Sequence, residues 1–403
     1  MNYSKQEVIQ FVEEEDVKFI RLAFCDVFGK QKNISIMPDE LTRAFDHGIA
    51  IDAWSIKGFD YQLHSDLFLY PDPSTLVVLP WRPEHGRVVR MFCDIKWPDG
   101  SAFLCDTRRL LKEAVSVAEN KGIHFRFGAE MEFYLFNRDE LGNPTNIPYD
   151  QAEYMDIAPD DKGENIRREI CLTLEQMGIS PESSHHEEGP GQNEIDFKYS
   201  NPLSAADNAI TFTAVVKTVA NRNGIYACFN PKPLENAPGN GMHINFSIKD
   251  DTDAEALNHC LAGVLKYIPD MTLYLNCCAD SYKRLGNNKA PGFITWSAQN
   301  RSQLIRIPAA DGIYKRAELR SPDPMTNPYI AYTLLIYAGL HGIEEKMELP
   351  PAADINLYTA SEEILKNYLY LPRTLEEAKI AAKNSMFIHS ILPSQIIDAY
   401  DNM

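Results

Sequence analysis

The chain has no apolar run near the roughly 20 residues that a membrane-spanning helix needs, so no membrane partner is expected. It has no Gly-x-x-x-x-Gly-Lys-[Ser/Thr] loop and no Gly-x-Gly-x-x-Gly turn, which disfavours a P-loop or Rossmann nucleotide site. It is short of basic residues: 39 Lys and Arg against 57 Asp and Glu give a net charge of −18. That balance argues against a nucleic-acid partner held by phosphate neutralisation. It leaves room for an anionic substrate, because a local arginine cluster can dominate one site. The eight cysteines include no Cys-x-x-Cys pair. The only neighbours, Cys277 and Cys278, fall in a stretch that reads as helix, where vicinal pairing is disfavoured. Free thiols and a polar Met1–Glu7 unlike a secretory leader make the cytoplasm the expected location. Internal repeats and low-complexity segments are missing too.

What is present is ordinary for a large globular protein: 403 residues, 44% hydrophobic and 24% charged. That length predicts two domains. Ser4–Glu14 reads as a short amphipathic helix, and Val17–Cys25 and Lys32–Ile36 as strands around a turn. Pro38 opens a helix that ends near Gly48, and strands follow near Leu67–Tyr70, Thr75–Leu79 and Arg87–Ile95. Trp97-Pro98-Asp99-Gly100 is turn chemistry, which places a boundary between residues 1–98 and 99–403. Beyond it the pattern predicts long helices over Thr107–Lys121, Ser204–Asn223, Thr252–Leu285 and Asn327–Glu345. Ser204-Ala205-Ala206-Asp207 and Thr252-Asp253-Ala254-Glu255 resemble capping boxes, and Gly224 suits a helix end. Strands are expected at Phe125–Phe136, Glu194–Phe197, Gly241–Ile248, Gly292–Trp296, Gln303–Pro308 and Arg316–Arg320. The fold class is α+β.

The acids inside these apolar runs carry the chemistry. Glu130 and Glu132 lie two apart on one strand and so share a face, opposite Met131, Phe133 and Leu135. Their alternative is a solvated edge strand. Glu187 and Glu194 flank Gly189-Pro190-Gly191, a loop able to fold back and unite them; a solvated acidic loop is the alternative. Glu318 alternates with Arg316 and Arg320 on a third strand. His243, in a glycine-rich approach to a strand, is a ligand or a core histidine. Buried charges need neutralising, and an oxygen-rich set with one imidazole suits Mg²⁺ or Mn²⁺ rather than zinc. The carboxylates exceed one ion's needs, so two or more ions are expected. Arg284, Arg301, Arg306, Arg316 and Arg320 are either partners for those acids or clamps for phosphate and carboxylate. Cations and guanidiniums around one cavity point to phosphoryl transfer.

Six stretches, in order, resemble the glutamine synthetase family: Asp52–Phe59, Gly128–Phe133, His185–Glu194, Gly239–His243, Asn300–Pro308 and Arg316–Pro324. The resemblance covers nearly the whole chain. It implies an N-terminal β-grasp domain and a catalytic domain of creatine-kinase-like fold. It implies a dodecamer of two stacked hexameric rings, with active sites shared between neighbours. It implies ATP-dependent phosphorylation of a glutamate-like γ-carboxylate, then attack by ammonia or an amine. By motif, Glu132, Glu187 and Glu194 would hold one metal ion, and Glu130, His243 and Glu318 the other. Arg301, Arg306 and Arg316 would serve the phosphates, with Ser247 near the nucleotide. Arg284 would clamp the α-carboxylate, Arg320 the γ-carboxylate, and Gly239 would approach the amino acid through its backbone. Asp52 of an adjacent subunit would be the base, with Ser55 and Glu187 nearby. Asn356-Leu357-Tyr358 is similar to a segment that carries an adenylylated tyrosine in some members, but Thr359-Ala360-Ser361 fits that form poorly and a loop tyrosine is expected.

Four departures cluster around the amino-acid and nucleophile pockets. The family's flap glutamate is replaced by Lys289 in Gly286-Asn287-Asn288-Lys289-Ala290-Pro291. A cation ~4 Å from ammonium costs about 4 kcal/mol at an effective dielectric near 20. Pro238 stands where the family has Asn, Asn245 where it has a second His, and Ala53-Trp54 in place of Gly-Ser. The metal and phosphate residues are kept. This pattern predicts an active ligase with an altered nucleophile, an amine in place of ammonia, with Lys289 either receiving a carboxylate on that amine or pointing to solvent. The rivals are an ordinary glutamine synthetase and a non-catalytic regulatory or structural oligomer.

Overall fold

In the computed structural model, residues 3–59, 64–82, 84–249, 255–309 and 316–403 are described. The chain builds two sheets, one from each part. The first comprises β1 (Val17–Cys25), β2 (Gln31–Ile36), β3 (Ile49–Asp52), β4 (Asp66–Pro71), β5 (Val77–Val78) and β6 (Arg87–Lys96). Its order is β2-β1-β6-β4-β3, with β5 on β6. β1 and β6 run parallel at its centre, and the other pairs are antiparallel. Two helices accompany it, α1 (Lys5–Glu14) and α2 (Leu41–His47). Ser4 and Glu7 close a capping box that starts α1. The expected Thr75–Leu79 strand shrinks to β5, because Asp72 caps a turn of 3₁₀ helix at Pro73–Thr75.

The second sheet holds the candidate site. Its strands are β7 (His124–Arg138), β8 (Pro144–Pro148), β9 (Pro181–His186), β10 (Gln192–Phe197), β11 (Tyr226–Cys228), β12 (Met242–Lys249), β13 (Trp296–Ala298), β14 (Ile305–Ile307) and β15 (Ala317–Leu319). The order is β13-β14-β15-β12-β7-β10-β9, with β8 and β11 also on β7. One face carries polar residues. The other packs on α3 (Thr107–Asn120), α5 (Pro202–Arg222) and α8 (Pro328–Glu344) through Phe127, Ala129, Met131 and Phe133, all buried. α4 (Glu164–Gln176) packs on α5 and β9, α6 (Ala256–Leu275) packs on α8, and α7 (Ala279–Arg284) carries Arg284. Four short helices end the chain: α9 (Glu362–Leu365), α10 (Leu375–Asn384), α11 (Met386–Ile391) and α12 (Ser394–Asp401). α6 and α8 touch through Gly263 and Gly342, where an added Cβ would meet backbone oxygens at 2.1 Å.

A buried ion network ties the two parts together. Arg108 on α3 donates to both oxygens of Asp207 at 3.0 and 2.9 Å and pairs with Asp72 at 3.0 Å. The Tyr329 hydroxyl donates to Asp207 at 2.6 Å. Asn327 reaches the Val27 carbonyl at 3.0 Å.

Local expectations fail in three places. Ser204 lies inside α5; Asn201 is its cap and accepts from the Ser204 N–H, with Pro202 opening the helix. The expected Thr252–Leu285 helix is broken, and Thr252–Ala254 of its proposed cap lie outside the described residues. Asn276 leaves helical conformation because its side chain is drawn to the Ser321 carbonyl and to Asp323, both 2.8–2.9 Å away. Cys277 and Cys278 therefore sit in the break rather than on a helix, and remain free thiols. Gly292–Thr295 does not join the sheet before β13, because Gly292 and Ile294 bond instead to Leu371 and Leu369. α4 and the polar edge strand β9 had no clear period in the sequence.

Candidate active site

Strand register gathers the acids. Across antiparallel pairs His243 faces Glu130, Glu194 faces Glu132, and Asn245 faces Glu318. Arg306 faces Glu318 from β14. Residues two apart share a face, so one polar face collects side chains from five strands. His243 Nδ1 lies 3.4 Å from Glu130 and 3.5 Å from Glu318, and Nε2 lies 3.8 Å from Glu132. Glu130, His243 and Glu318 offer donor atoms within 4.8 Å of one another. A second such group is His185, Glu187 and Glu194, united as the β9–β10 hairpin folds back at Gly189-Pro190-Gly191. Glu132 stands between the groups, accepting from the Gly241 N–H at 2.8 Å and from Gln192 at 3.2 Å.

The electrostatics are unbalanced. Burial, then the Glu187 charge, pushes the Glu132 carboxyl up to about 8. Burial, then Glu132, holds Glu194 well above the carboxylate range. Burial and the Arg320 charge push His243 far down, so its imidazole is neutral and able to coordinate. Glu187 is lowered: burial opposes this, but hydrogen bonds from His185 and the Glu188 N–H outweigh it. Crowded buried carboxylates around a neutral imidazole fit hard divalent cations such as Mg²⁺ or Mn²⁺. Glu130, His243 and Glu318 could hold one; Glu187 and Glu194, with His185 or Glu132, could hold another.

The arginines line the same face. Arg306 donates to Glu318 at 2.8 Å, and Arg320 pairs with its other oxygen. The Nε atoms of both arginines are buried without a partner among the described residues, which leaves donors for an anion. Arg316 donates to Asn245 at 2.9 Å, and Asn245 to Glu130 at 2.7 Å. Asn245 thus links an arginine to a carboxylate. Arg284 is buried, tied to the Ser321 and Arg320 carbonyls at 2.7 and 3.1 Å. It packs on Gly239, where a Cβ would meet the Pro231 carbonyl at 2.4 Å and Arg284 Cγ at 2.8 Å. Ser247 continues the His243–Asn245 face of β12 outward.

Other expected residues stand apart. Arg301 is exposed, and its carbonyl accepts from Tyr358 at 2.9 Å. Ser55, in the 3₁₀ turn that follows the edge strand β3, donates to Asp52 at the strand's end at 2.8 Å. No hydrogen bond or ion pair among the described residues joins either to the carboxylate cluster. Lys289 is not open to solvent on all sides: it pairs with Glu188 and lies 5.7 Å from the centre of the Tyr154 ring.

Sequence reasoning missed the support beneath the cluster. Gln192, fully buried, reaches Glu132, the Gly239 carbonyl and Asn240. His186 places one ring nitrogen 2.9 Å from Asp150 and the other 2.6 Å from the Glu187 carbonyl, fixing the loop that presents Glu187. Arg167 joins Asp161 to Asn193 beside them. The paired histidines before Glu187 were the available signal.

The residues 16–98 match the family described as glutamine synthetase, beta-Grasp domain, and residues 104–403 match glutamine synthetase, catalytic domain. Among curated relatives, a glutamine synthetase of Clostridium saccharobutylicum is 41% identical over 413 residues, covering 99% of this chain and 93% of the relative. A glutamine synthetase of Methanosarcina mazei is 42% identical over 412 residues, covering 98% and 92%. A solved structure titled "GmaS/ADP complex-Conformation 1" superposes with a TM-score of 0.88 at 27% identity, covering 100% of this chain and 94% of that one. The electron-cryomicroscopy structure of the Plasmodium falciparum glutamine synthetase shares the fold at TM-score 0.88 and 22% identity. No helix among the described residues is long and apolar enough to cross a membrane. With both family domains matched in order along the chain, this protein belongs to the glutamine synthetase family of ATP-dependent ligases.

Proposed function

We propose that the chain phosphorylates glutamate or a close relative at its γ-carboxylate and condenses it with an amine other than free ammonia. The observation that carries this reading is a contrast within one site. Acids and the side chains of Arg306, Arg316 and Arg320 gather on one sheet face, whereas the flap presents Lys289 paired with Glu188. In this reading Arg301, Arg306 and Arg316 orient the ATP phosphates, Arg320 receives the γ-carboxylate, and Arg284 and the Gly239 backbone receive the α-amino-acid end. A carboxylate oxygen attacks the γ-phosphorus and ADP leaves. The amine nitrogen then attacks the acyl carbon, a carboxylate takes its proton, and phosphate leaves. Divalent ions held by Glu130, His243 and Glu318 and by Glu187 and Glu194 would supply charge neutralisation for the phosphoryl oxygens. Asp52, exposed at the end of the edge strand β3, serves the neighbouring copy of a ring, which makes the assembly an oligomer with shared sites. We place it in the cytoplasm, with the domain division at 98/99.

Glutamine synthesis is the second reading, favoured by the curated relatives' names. The Lys289–Glu188 pair also removes most of the repulsion that a bare lysine would exert on ammonium. The test is phosphate release from ATP with Mg²⁺ and glutamate, comparing ammonium, simple amines, polyamines and amino acids. Turnover that requires an amine supports the proposal. Turnover with ammonium as fast as with any amine supports the second reading, and silence with every nucleophile defeats both.

A further inference from the structure

We infer that Lys289 is a tethered stand-in for the cationic nucleophile, an intramolecular plug in the subsite where a protonated nitrogen docks. The inference rests on the reading of this site as a nitrogen-condensing ligase and names the residue that gates its nucleophile. The Lys289 ammonium is a primary alkylammonium ion. It sits on the Glu188 carboxylate and 5.7 Å from the Tyr154 ring centre. The His185 ring stands edge-on to Tyr154 at 5.4 Å, and His185 bonds Glu187 at 3.1 Å. A carboxylate and an aromatic face are what a small ammonium ion seeks. Here the protein's own side chain fills that place, one residue from Glu187.

The plug is built to swing without moving the flap. The Tyr358 hydroxyl lies 2.6 Å from the Lys289 carbonyl and 2.9 Å from the Arg301 carbonyl, so it pins the flap backbone to the arginine loop. Gly286 at φ +74° and Asn288 at φ +48° set the flap's turn in the left-handed region. Nothing comparable fixes the lysine stem, whose side chain is 58% exposed. The ammonium can therefore leave Glu188 by rotation of its own four-carbon chain, which an arriving amine completes by taking the carboxylate.

A plug has a distinctive thermodynamic mark. It reduces the fraction of protein competent to bind, and so weakens every competitor by the same factor. An exposed ion pair with a cation–π contact corresponds to about three- to tenfold. The experiment uses the full-length oligomer and its Lys289→Met variant, which keeps the stem and removes the charge. KM is measured for ammonium and for methylamine with saturating ATP, glutamate and Mg²⁺. We expect both to fall about three- to tenfold, by one common factor, while KM for glutamate and ATP changes less than twofold. Lys289→Gln repeats the test, separating charge removal from a folding fault in one variant. If neither protein turns over, the ligase reading fails, and calorimetric titration of methylammonium chloride against the ADP-bound protein still measures the plug. A rise in KM would make Lys289 a direct substrate contact. No change would make it a solvated surface lysine, and unequal factors would mean a steric effect on one nucleophile. Each of these overturns the inference.

Discussion

Replacing Glu132 by glutamine should stabilise the metal-free protein, although it deletes a buried charge. Glu132 is 9% exposed and pressed by Glu187 and Glu194, and its carboxyl is pushed up to about 8 from an ordinary 4.5. The sign follows from linkage. A folded-state value raised above the unfolded one gives a contribution that is fully present below 4.5 and lost as pH rises through about 8. At pH 7 that loss is at most about 3 kcal/mol at 1.36 kcal/mol per unit, and water penetration brings it to about 1–3 kcal/mol. A glutamine oxygen can keep the Gly241 and Gln192 hydrogen bonds, and its amide places no charge beside Glu187. Urea unfolding in chelator should therefore show Glu132→Gln level with the parent near pH 4.5 and ahead by about 1–3 kcal/mol at pH 8. Saturating Mg²⁺ should reverse the order, because a ligand at 100 times its Kd adds about 2.7 kcal/mol to whichever protein binds it. A variant less stable than the parent in chelator at every pH would refute the argument that these acids are held in excess for cations.

Three further outcomes follow from the geometry. Gly239→Ala drives a Cβ into the Pro231 carbonyl and Arg284, so KM for glutamate should rise at least about tenfold, read by steady-state kinetics. Asp207→Ala leaves Arg108 and the Tyr329 hydroxyl without their shared partner, which should cost about 3–5 kcal/mol in chemical denaturation. Asp72 has its carboxyl lowered: burial opposes this, but Arg108, the Ser74 hydrogen bond and Lys112 together outweigh it. Its contribution is therefore present above its ordinary 3.8 and lost below it, so the Tm gap between the parent and Asp72→Asn should be full at pH 7 and close as pH falls under 3.8.

The site was more legible than the frame that holds it. Glu130 and Glu132 announced a shared face because strand geometry has a period of two, and β7 places them on one. The glycine-rich loop between Glu187 and Glu194 could fold back or stay solvated, and the β9–β10 hairpin shows that it folds back. The Asn276 break was not legible, since it depends on Ser321 and Asp323, which are distant in sequence. Neither was β9, an edge strand whose polar Glu182-Ser183-Ser184 shows no alternation. Lys289 was visible as a departure, yet its partner Glu188 lies 101 residues away and only the fold reveals it. Asp52 caps the turn that holds Ser55, a local role that the sequence reading did not foresee.

The most direct test is a competition in one vessel. The protein receives glutamate, ATP and Mg²⁺ with ammonium and the best amine of the panel at equal concentration, and the products are separated by mass. Their ratio reports the ratio of kcat/KM values for the two nucleophiles. The account predicts that the γ-glutamyl amide exceeds glutamine. Glutamine as the dominant product would contradict it and make this chain a glutamine synthetase with an unusual flap.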